Sequence, residues 1–141
     1  MNVIEIFDSI DGEGIFAGAL ATFIRLSGCN LACRYCDTGY ALKAGAGTDM
    51  GIDEIVSKCK EIGNKHITLT GGEPLIHTDV DSLISALSST GFVVNVETNG
   101  SCDISRYTAD SNVIITLDYK TQGSGESGKM VLENWEKLRE C

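Results

Sequence analysis

The sequence predicts an α/β fold, a parallel sheet with helices on the outside in the form of a partial (β/α) barrel. Three observations point there. From residue 52 onward, short apolar strand patterns alternate with helical ones, as βαβ units and a parallel sheet require. The glycine-rich and polar segments follow strands directly, where such sheets place their ligands. The 141 residues, 43% of them hydrophobic, suit one domain, 1–141, with its own core.

Residues 2–7 alternate polar and apolar and read as a first strand. Residues 8–18 hold three glycines and read as a loop. A second strand, 21–27, delivers the chain to Gly28 and a group of cysteines, and 39–51, rich in Gly and Ala, is expected to be mobile. Ile52, Ile55, Val56, Cys59 and Ile62 fall at helical spacing, with Gly63 as the stop. Strand 66–69 runs into Thr70-Gly71-Gly72-Glu73-Pro74. Thr78 is placed to cap a second helix whose apolar face is Val80, Leu83, Ile84 and Leu87. Strand 92–97 ends in Thr98-Asn99-Gly100, and strand 113–117 leads into a Gly/Ser loop, 122–128. Residues 130–139 read as a last helix with Val131, Leu132, Trp135 and Leu138 apolar. The loops after the strands should gather at one rim. A sheet that stops there keeps an open edge, so the domain is expected to be incomplete at its C-terminus, covered by another chain or continued in a longer protein.

Acidic residues outnumber basic ones 20 to 11, a net charge of −9, which repels phosphate backbones and argues against a nucleic-acid partner. The opening MNVIEIFDSI has no basic n-region and no long apolar h-region, so it is not a signal peptide. No apolar run approaches the ~18 residues of a membrane span. A soluble, cytoplasmic protein without a membrane partner is expected.

Three of the six cysteines lie within eight residues, in Gly28-Cys29-Asn30-Leu31-Ala32-Cys33-Arg34-Tyr35-Cys36-Asp37-Thr38. The C-x3-C-x2-C spacing lets one compact loop offer three thiolates to an iron–sulfur cluster and leave the fourth iron open to a small molecule. The competing readings are a structural zinc site and plain buried thiols. Zinc asks for four ligands, usually in two pairs, and neither His66 nor His77 stands at zinc-knuckle spacing. Cys59 belongs to an apolar helix face; Cys102 and Cys141 have no pattern.

This triplet, with an aromatic residue, Tyr35, before its third cysteine, and Gly71-Gly72-Glu73-Pro74 further on, resembles the radical S-adenosylmethionine (SAM) superfamily. The resemblance implies a [4Fe–4S] cluster on Cys29, Cys33 and Cys36. It implies SAM chelated by the open iron, a 5′-deoxyadenosyl radical, and an electron donor such as flavodoxin or ferredoxin. Tyr35 would pack near the adenine, and Gly72 and Glu73 would meet the methionine amino group.

Further stretches narrow the likeness. Phe7-Asp8-Ser9-Ile10-Asp11-Gly12-Glu13-Gly14, Phe23-Ile24-Arg25-Leu26-Ser27, Cys36-Asp37-Thr38, Val96-Glu97-Thr98-Asn99-Gly100, Asp118-Tyr119-Lys120-Thr121 and Ser124-Gly125-Glu126 together resemble the 7-carboxy-7-deazaguanine synthases of queuosine biosynthesis. That resemblance implies a lyase that contracts the ring of 6-carboxy-5,6,7,8-tetrahydropterin with loss of ammonia, needs magnesium, and could be a homodimer. Ile10, Asp11 and Gly12 match a loop that contacts the substrate mostly through backbone, Thr70 matches a further substrate contact, and Arg25 the partner of the substrate carboxylate, which a guanidinium fork suits. Thr38 matches a magnesium ligand; Asp118 and Lys120 match the cofactor-binding end of a later strand, with Glu97 near the cofactor ribose. Arg25 as a surface charge and Thr38 as a turn cap are the structural alternatives. Asp11 stands where that family usually has glutamine, and an acid there would repel a carboxylate unless magnesium or Arg25 compensates. Two other functions fit the triplet: a glycyl-radical-enzyme activase, whose partner is a protein, and an inactive, truncated cluster-binding domain.

Overall fold

The computed structural model describes residues 1–138; the end of the expected last helix and Cys141 lie outside them. Strands β1 (Asn2–Ile10), β2 (Leu20–Leu26), β3 (Thr48–Asp49), β4 (His66–Gly71), β5 (Val93–Thr98) and β6 (Val113–Leu117) form one six-stranded sheet in the order β3-β1-β2-β4-β5-β6. Helices α1 (Ile52–Ile62) and α2 (Val80–Ser89) cover one face, and α3 (Asn134–Lys137) is a single turn after β6.

Strand alternation explains the layers. Ile24 and Leu26 of β2, Ile67 and Leu69 of β4, Val94 and Val96 of β5 and Val113 of β6 point to one side. There they meet Ile55, Val56 and Cys59 of α1 and Val80, Leu83, Ile84 and Leu87 of α2. The intervening positions, among them Arg25, Thr68, Thr70, Asn95, Glu97 and Thr116, take the opposite face, which is therefore polar. Gly63 ends α1 in the left-handed region (φ +87°), returning its N–H to Cys59 O, as a residue without Cβ does best.

Strands β2, β4, β5 and β6 are parallel, as expected, but β1 runs antiparallel to β2, and β3 antiparallel to β1, so the sheet is mixed. β1 also reaches Ile10 rather than residue 7, because Asp8, Ser9 and Ile10 pair with Thr22, Ala21 and Leu20. The segment expected to be mobile is pinned instead. Met50 N bonds Met1 O at 2.9 Å, the terminal ammonium meets Asp49 at 3.0 Å, and Gly28 N bonds Ala41 O at 2.7 Å. Asp79, not Thr78, occupies the N-cap of α2, because Pro74–Ile76 forms a 3-10 turn and Val80 N bonds back to His77 O. The helix expected from residue 130 is short for a comparable reason. Val131 N is bonded to Gly100 O, and the buried Asn134 side chain donates to Cys102 O (2.7 Å) and accepts from Ile104 N (3.3 Å).

Candidate active site

The polar face of the sheet and the loops after β2, β4, β5 and β6 enclose a pocket of about 580 Å³. Its floor is strand side chains: Phe7, Phe23, Arg25, Thr70 and Glu97. Its rim carries Cys29, Cys33, Tyr35, Cys36 and Thr38 from the loop after β2, Gly71 and Gly72 at the end of β4, and Asp118 and Lys120 just after β6. The four loops singled out in the sequence thus meet at the carboxyl ends of the parallel strands, and the site continues from there onto the inner face.

The cysteine loop is braced from several sides. Cys36 N bonds Cys33 O (3.1 Å), Arg34 N bonds Ser124 O (3.0 Å), and Ala32 N bonds the Glu126 carboxylate (3.0 Å). Burial pushes the Cys33 thiol up, and the Lys120 ammonium pulls it partly back. Among the described residues no three His, Cys, Asp or Glu side chains converge on one metal-ion position. The donor set, three cysteines on one loop at the pocket rim, is the kind that a polynuclear iron–sulfur cluster takes, each thiolate on a different iron.

Gly72 is wedged against this loop. A Cβ there would lie 2.1 Å from Gly28 O and 2.9 Å from Cys29 Cβ, so only glycine permits the approach. Gly72 N bonds Leu26 O (3.2 Å) and Glu73 N bonds Gly28 O (2.8 Å). Glu73 itself does not reach the pocket, which corrects the cofactor contact expected of it. Its side chain is 0% exposed. Oε1 accepts from Leu75 N (3.0 Å) and Thr98 Oγ1 (2.8 Å), and Oε2 from Asn99 N (2.7 Å). Burial holds its carboxyl above the ordinary range, against the pull of those three donors. Glu73 is a positioning residue that ties the loop after β4 to the turn after β5.

Asp11 was expected to meet the substrate mostly through its backbone, and its side chain is turned away from the pocket. Ile10, Gly12 and Glu13 line the pocket, but the Asp11 side chain, 1% exposed, turns into the sheet. Its Oδ2 accepts from Thr68 Oγ1 (2.7 Å) and Asn95 Nδ2 (3.4 Å), its Oδ1 from Glu13 N (3.2 Å), and Thr116 Oγ1 donates to Asn95 Oδ1 (2.7 Å). The acid in place of glutamine thus anchors the loop from beneath and does not face a ligand carboxylate.

Arg25 is oriented into the pocket by Glu5, whose Oε1 takes the Nε–H at 2.8 Å and also the Tyr40 hydroxyl at 3.0 Å. Thr38 donates to Asp37 Oδ1 (2.9 Å), which sets a hydroxyl beside a carboxylate. Tyr35 is 55% exposed at the rim. Lys120 is clamped by Asp118; burial works against its ammonium, but the carboxylate keeps its pKa above the usual value. Glu97, on the floor, is pushed up by burial, opposed by a hydrogen bond from Thr70, with Glu13, Asp11 and Asp118 adding repulsion. Sequence reasoning missed Glu13 and the Phe7–Phe23 pair, stacked at 5.2 Å, as pocket-lining groups. Their signal was the alternation of β1 and β2, which fixes the shared face only once the pairing is known.

The Radical SAM superfamily model matches residues 23–113. The chain is 42% identical to a 7-carboxy-7-deazaguanine synthase of Clostridium acetobutylicum over 139 residues, covering 96% of this chain and 63% of that protein. It is 32% identical to one of Thermoplasma acidophilum, covering 99% and 66%. The crystal structure of QueE from Escherichia coli superposes with a TM-score of 0.77 at 27% identity, covering 96% of this chain and 66% of that one. The chain therefore spans about two thirds of the length of these relatives.

Proposed function

The chain belongs to the radical SAM superfamily, and from that premise we propose that it carries the core of a 7-carboxy-7-deazaguanine synthase. Its substrate would be 6-carboxy-5,6,7,8-tetrahydropterin, its product 7-carboxy-7-deazaguanine, with loss of ammonia. The observation that carries this reading is the placement of Arg25. Its guanidinium enters the same pocket as the three cluster cysteines, held through Nε by Glu5. A pocket with Glu13, Glu97, Asp37 and Asp118 on its walls needs such a cation to accept an anionic substrate.

When bound, the [4Fe–4S] cluster and SAM supply a 5′-deoxyadenosyl radical for hydrogen abstraction. Cys29, Cys33 and Cys36 would hold the cluster. Gly71, Gly72, Tyr35, Asp118 and Lys120, which line the same pocket, would bind SAM. Arg25 pairs with the pterin carboxylate, while Thr70 and the backbone at Ile10 and Gly12 position the ring. Thr38, its hydroxyl beside the Asp37 carboxylate, offers magnesium the hard oxygens it prefers, leaving its other positions to water and substrate. The enzyme works in the cytoplasm with flavodoxin or ferredoxin as electron donor and pairs as a homodimer. Among the described residues no helix is long and apolar enough to cross a membrane.

Anaerobic reconstitution with iron and sulfide, followed by SAM, magnesium, reductant and the tetrahydropterin, tests the proposal by mass spectrometry. Formation of the deazaguanine is the expected result. Cleavage of SAM with the pterin left unchanged refutes the substrate. Retention of full iron loading by Cys33→Ala refutes the cluster.

A further inference from the structure

We propose that the side chain of Asn99 sets the reduction potential of the cluster held by Cys29, Cys33 and Cys36, through an N–H···S hydrogen bond to the Cys29 sulfur. The inference needs the cluster that the superfamily carries and is independent of the pterin reading.

Asn99 follows β5 in the turn Thr98-Asn99-Gly100, and its network leaves one orientation for the amide. Oδ1 accepts two hydrogens, from Ser101 N (2.9 Å) and Ser101 Oγ (2.6 Å). The carbonyl end must therefore face Ser101, and the amino end the cysteine loop. There Nδ2 gives one hydrogen to Asn30 Oδ1 (3.1 Å) and the other to Cys29 Sγ (3.7 Å). Asn30 is held in turn, donating to Ser101 Oγ at 2.8 Å. The backbone of Asn99 is fixed independently, its N–H bonded to the buried Glu73 carboxylate at 2.7 Å. The donor is thus preorganised toward the sulfur.

The bond is selective. Cys29 Sγ also receives Leu31 N–H at 3.4 Å, whereas among the described residues no hydrogen bond reaches the sulfur of Cys33 or Cys36. A donor pointed at a ligating thiolate stabilises electron density on sulfur. It therefore favours the reduced cluster over the oxidised one and raises the potential. Asn99 lies on the pocket wall, so it acts from the first residues around the cluster and through Cys29 alone.

The test is a redox titration of the anaerobically reconstituted chain, followed by the EPR signal of the reduced cluster, without substrate. Asn99→Asp keeps the shape and the bonds from Ser101 but turns an oxygen toward the sulfur. At the wild-type midpoint its reduced-to-oxidised ratio should fall about tenfold, which is 59 mV for a one-electron couple. Asn99→Leu, which removes the donor without adding charge, should fall several-fold. Ser101→Ala removes one of the two hydrogens that orient the amide but keeps the Ser101 N–H and both Nδ2 hydrogens, so it should shift the ratio less than either Asn99 variant. Iron and sulfide content certifies loading in each case. An unchanged potential in loaded Asn99→Asp or Asn99→Leu overturns the proposal. A measurement on the wild type stands even if a variant fails to load. Protein labelled with 15N-asparagine should show a weak nitrogen coupling to the reduced cluster in pulsed EPR, and its absence overturns the proposal equally.

Discussion

Replacing Glu73 separates the two roles a glutamate at this position could play. If it is a brace, as the geometry requires, its loss costs stability before it costs cofactor affinity. Glu73→Ala strands three donors: Leu75 N, Thr98 Oγ1 and Asn99 N. Each buried group left without an acceptor costs about 1–3 kcal/mol. Relief from burying a carboxylate offsets part of the sum, leaving a net loss of about 2–4 kcal/mol. Glu73→Gln keeps one acceptor oxygen but presents an amino group to one donor, a loss of about 1–2 kcal/mol. Urea denaturation of the chain without cluster measures both, and calorimetry with SAM on the reconstituted protein measures affinity. The pH dependence gives an independent check. Burial lifts the carboxyl above its unfolded value of 4.5, so between that value and the folded pKa the native state binds more protons than the unfolded one. Stability then falls as pH rises through that window. Glu73→Gln lacks this fall, so the gap between wild type and variant should narrow with rising pH. If both variants unfold within about 0.5 kcal/mol of wild type while SAM affinity drops tenfold or more, the glutamate touches the cofactor and the brace is refuted.

Gly72→Ala puts a methyl 2.1 Å from Gly28 O, a backbone atom that cannot swing aside. It should cost about 1–3 kcal/mol and cut iron loading several-fold, whereas Gly12→Ala, with nothing within 4 Å of the new carbon, should load normally. Arg25→Lys trades a fork for a point charge; KM for the carboxylated pterin should rise by about one to two orders of magnitude, with SAM cleavage in the absence of substrate unchanged. Cys59 is fully buried on α1, and burial pushes its thiol to about 11. Its folded pKa lies above the unfolded value of 9.0, so its contribution is lost as pH rises through that interval. Iodoacetamide at pH 8 should accordingly modify the exposed Cys36 of the chain without cluster and spare Cys59 until urea is added.

The layers of the fold were legible because burial on one face leaves a local trace. Ile52, Ile55, Val56 and Cys59 recur at helical spacing, and Gly63 marks where the helix must stop. The direction of β1 left no such trace, since an alternating strand pairs equally well in either sense until its neighbour is known. Its last three residues were read as loop because 8–18 holds three glycines, yet Asp8, Ser9 and Ile10 pair with β2 before the first of them, Gly12. The cysteine triplet and Gly72 were legible as chemistry, because few other arrangements need three thiols in eight residues or a glycine against a backbone carbonyl. The burial of the Glu73 and Asp11 side chains was not legible, for one shared reason. Both are acids in loops, where exposure is the ordinary expectation, and what buries them is a set of donors scattered over strands far away in sequence.

Those two carboxylates do the same work at different depths. Strands that end at a ligand site release N–H groups from the ladder, and the loops that follow must find acceptors for them without filling the pocket. A carboxylate is acceptor-only, with room for about four hydrogens, so one side chain can collect donors from several loops at once. Glu73 collects them at the rim, from its own loop and from the turn after β5. Asp11 collects them at the floor, from β4, β5 and its own loop. Among the described residues neither has an ion-pair partner, which is consistent with a role as a hub for neutral donors. An amide at either place would have to turn a donor toward a donor. That is the physical reason for an acid at 11 in this chain: with Thr68 Oγ1, Asn95 Nδ2 and Glu13 N all aimed at it, a glutamine or asparagine head would leave one of the three unmatched unless Asn95 flipped, and Thr116 Oγ1, which donates to Asn95 Oδ1, opposes that flip.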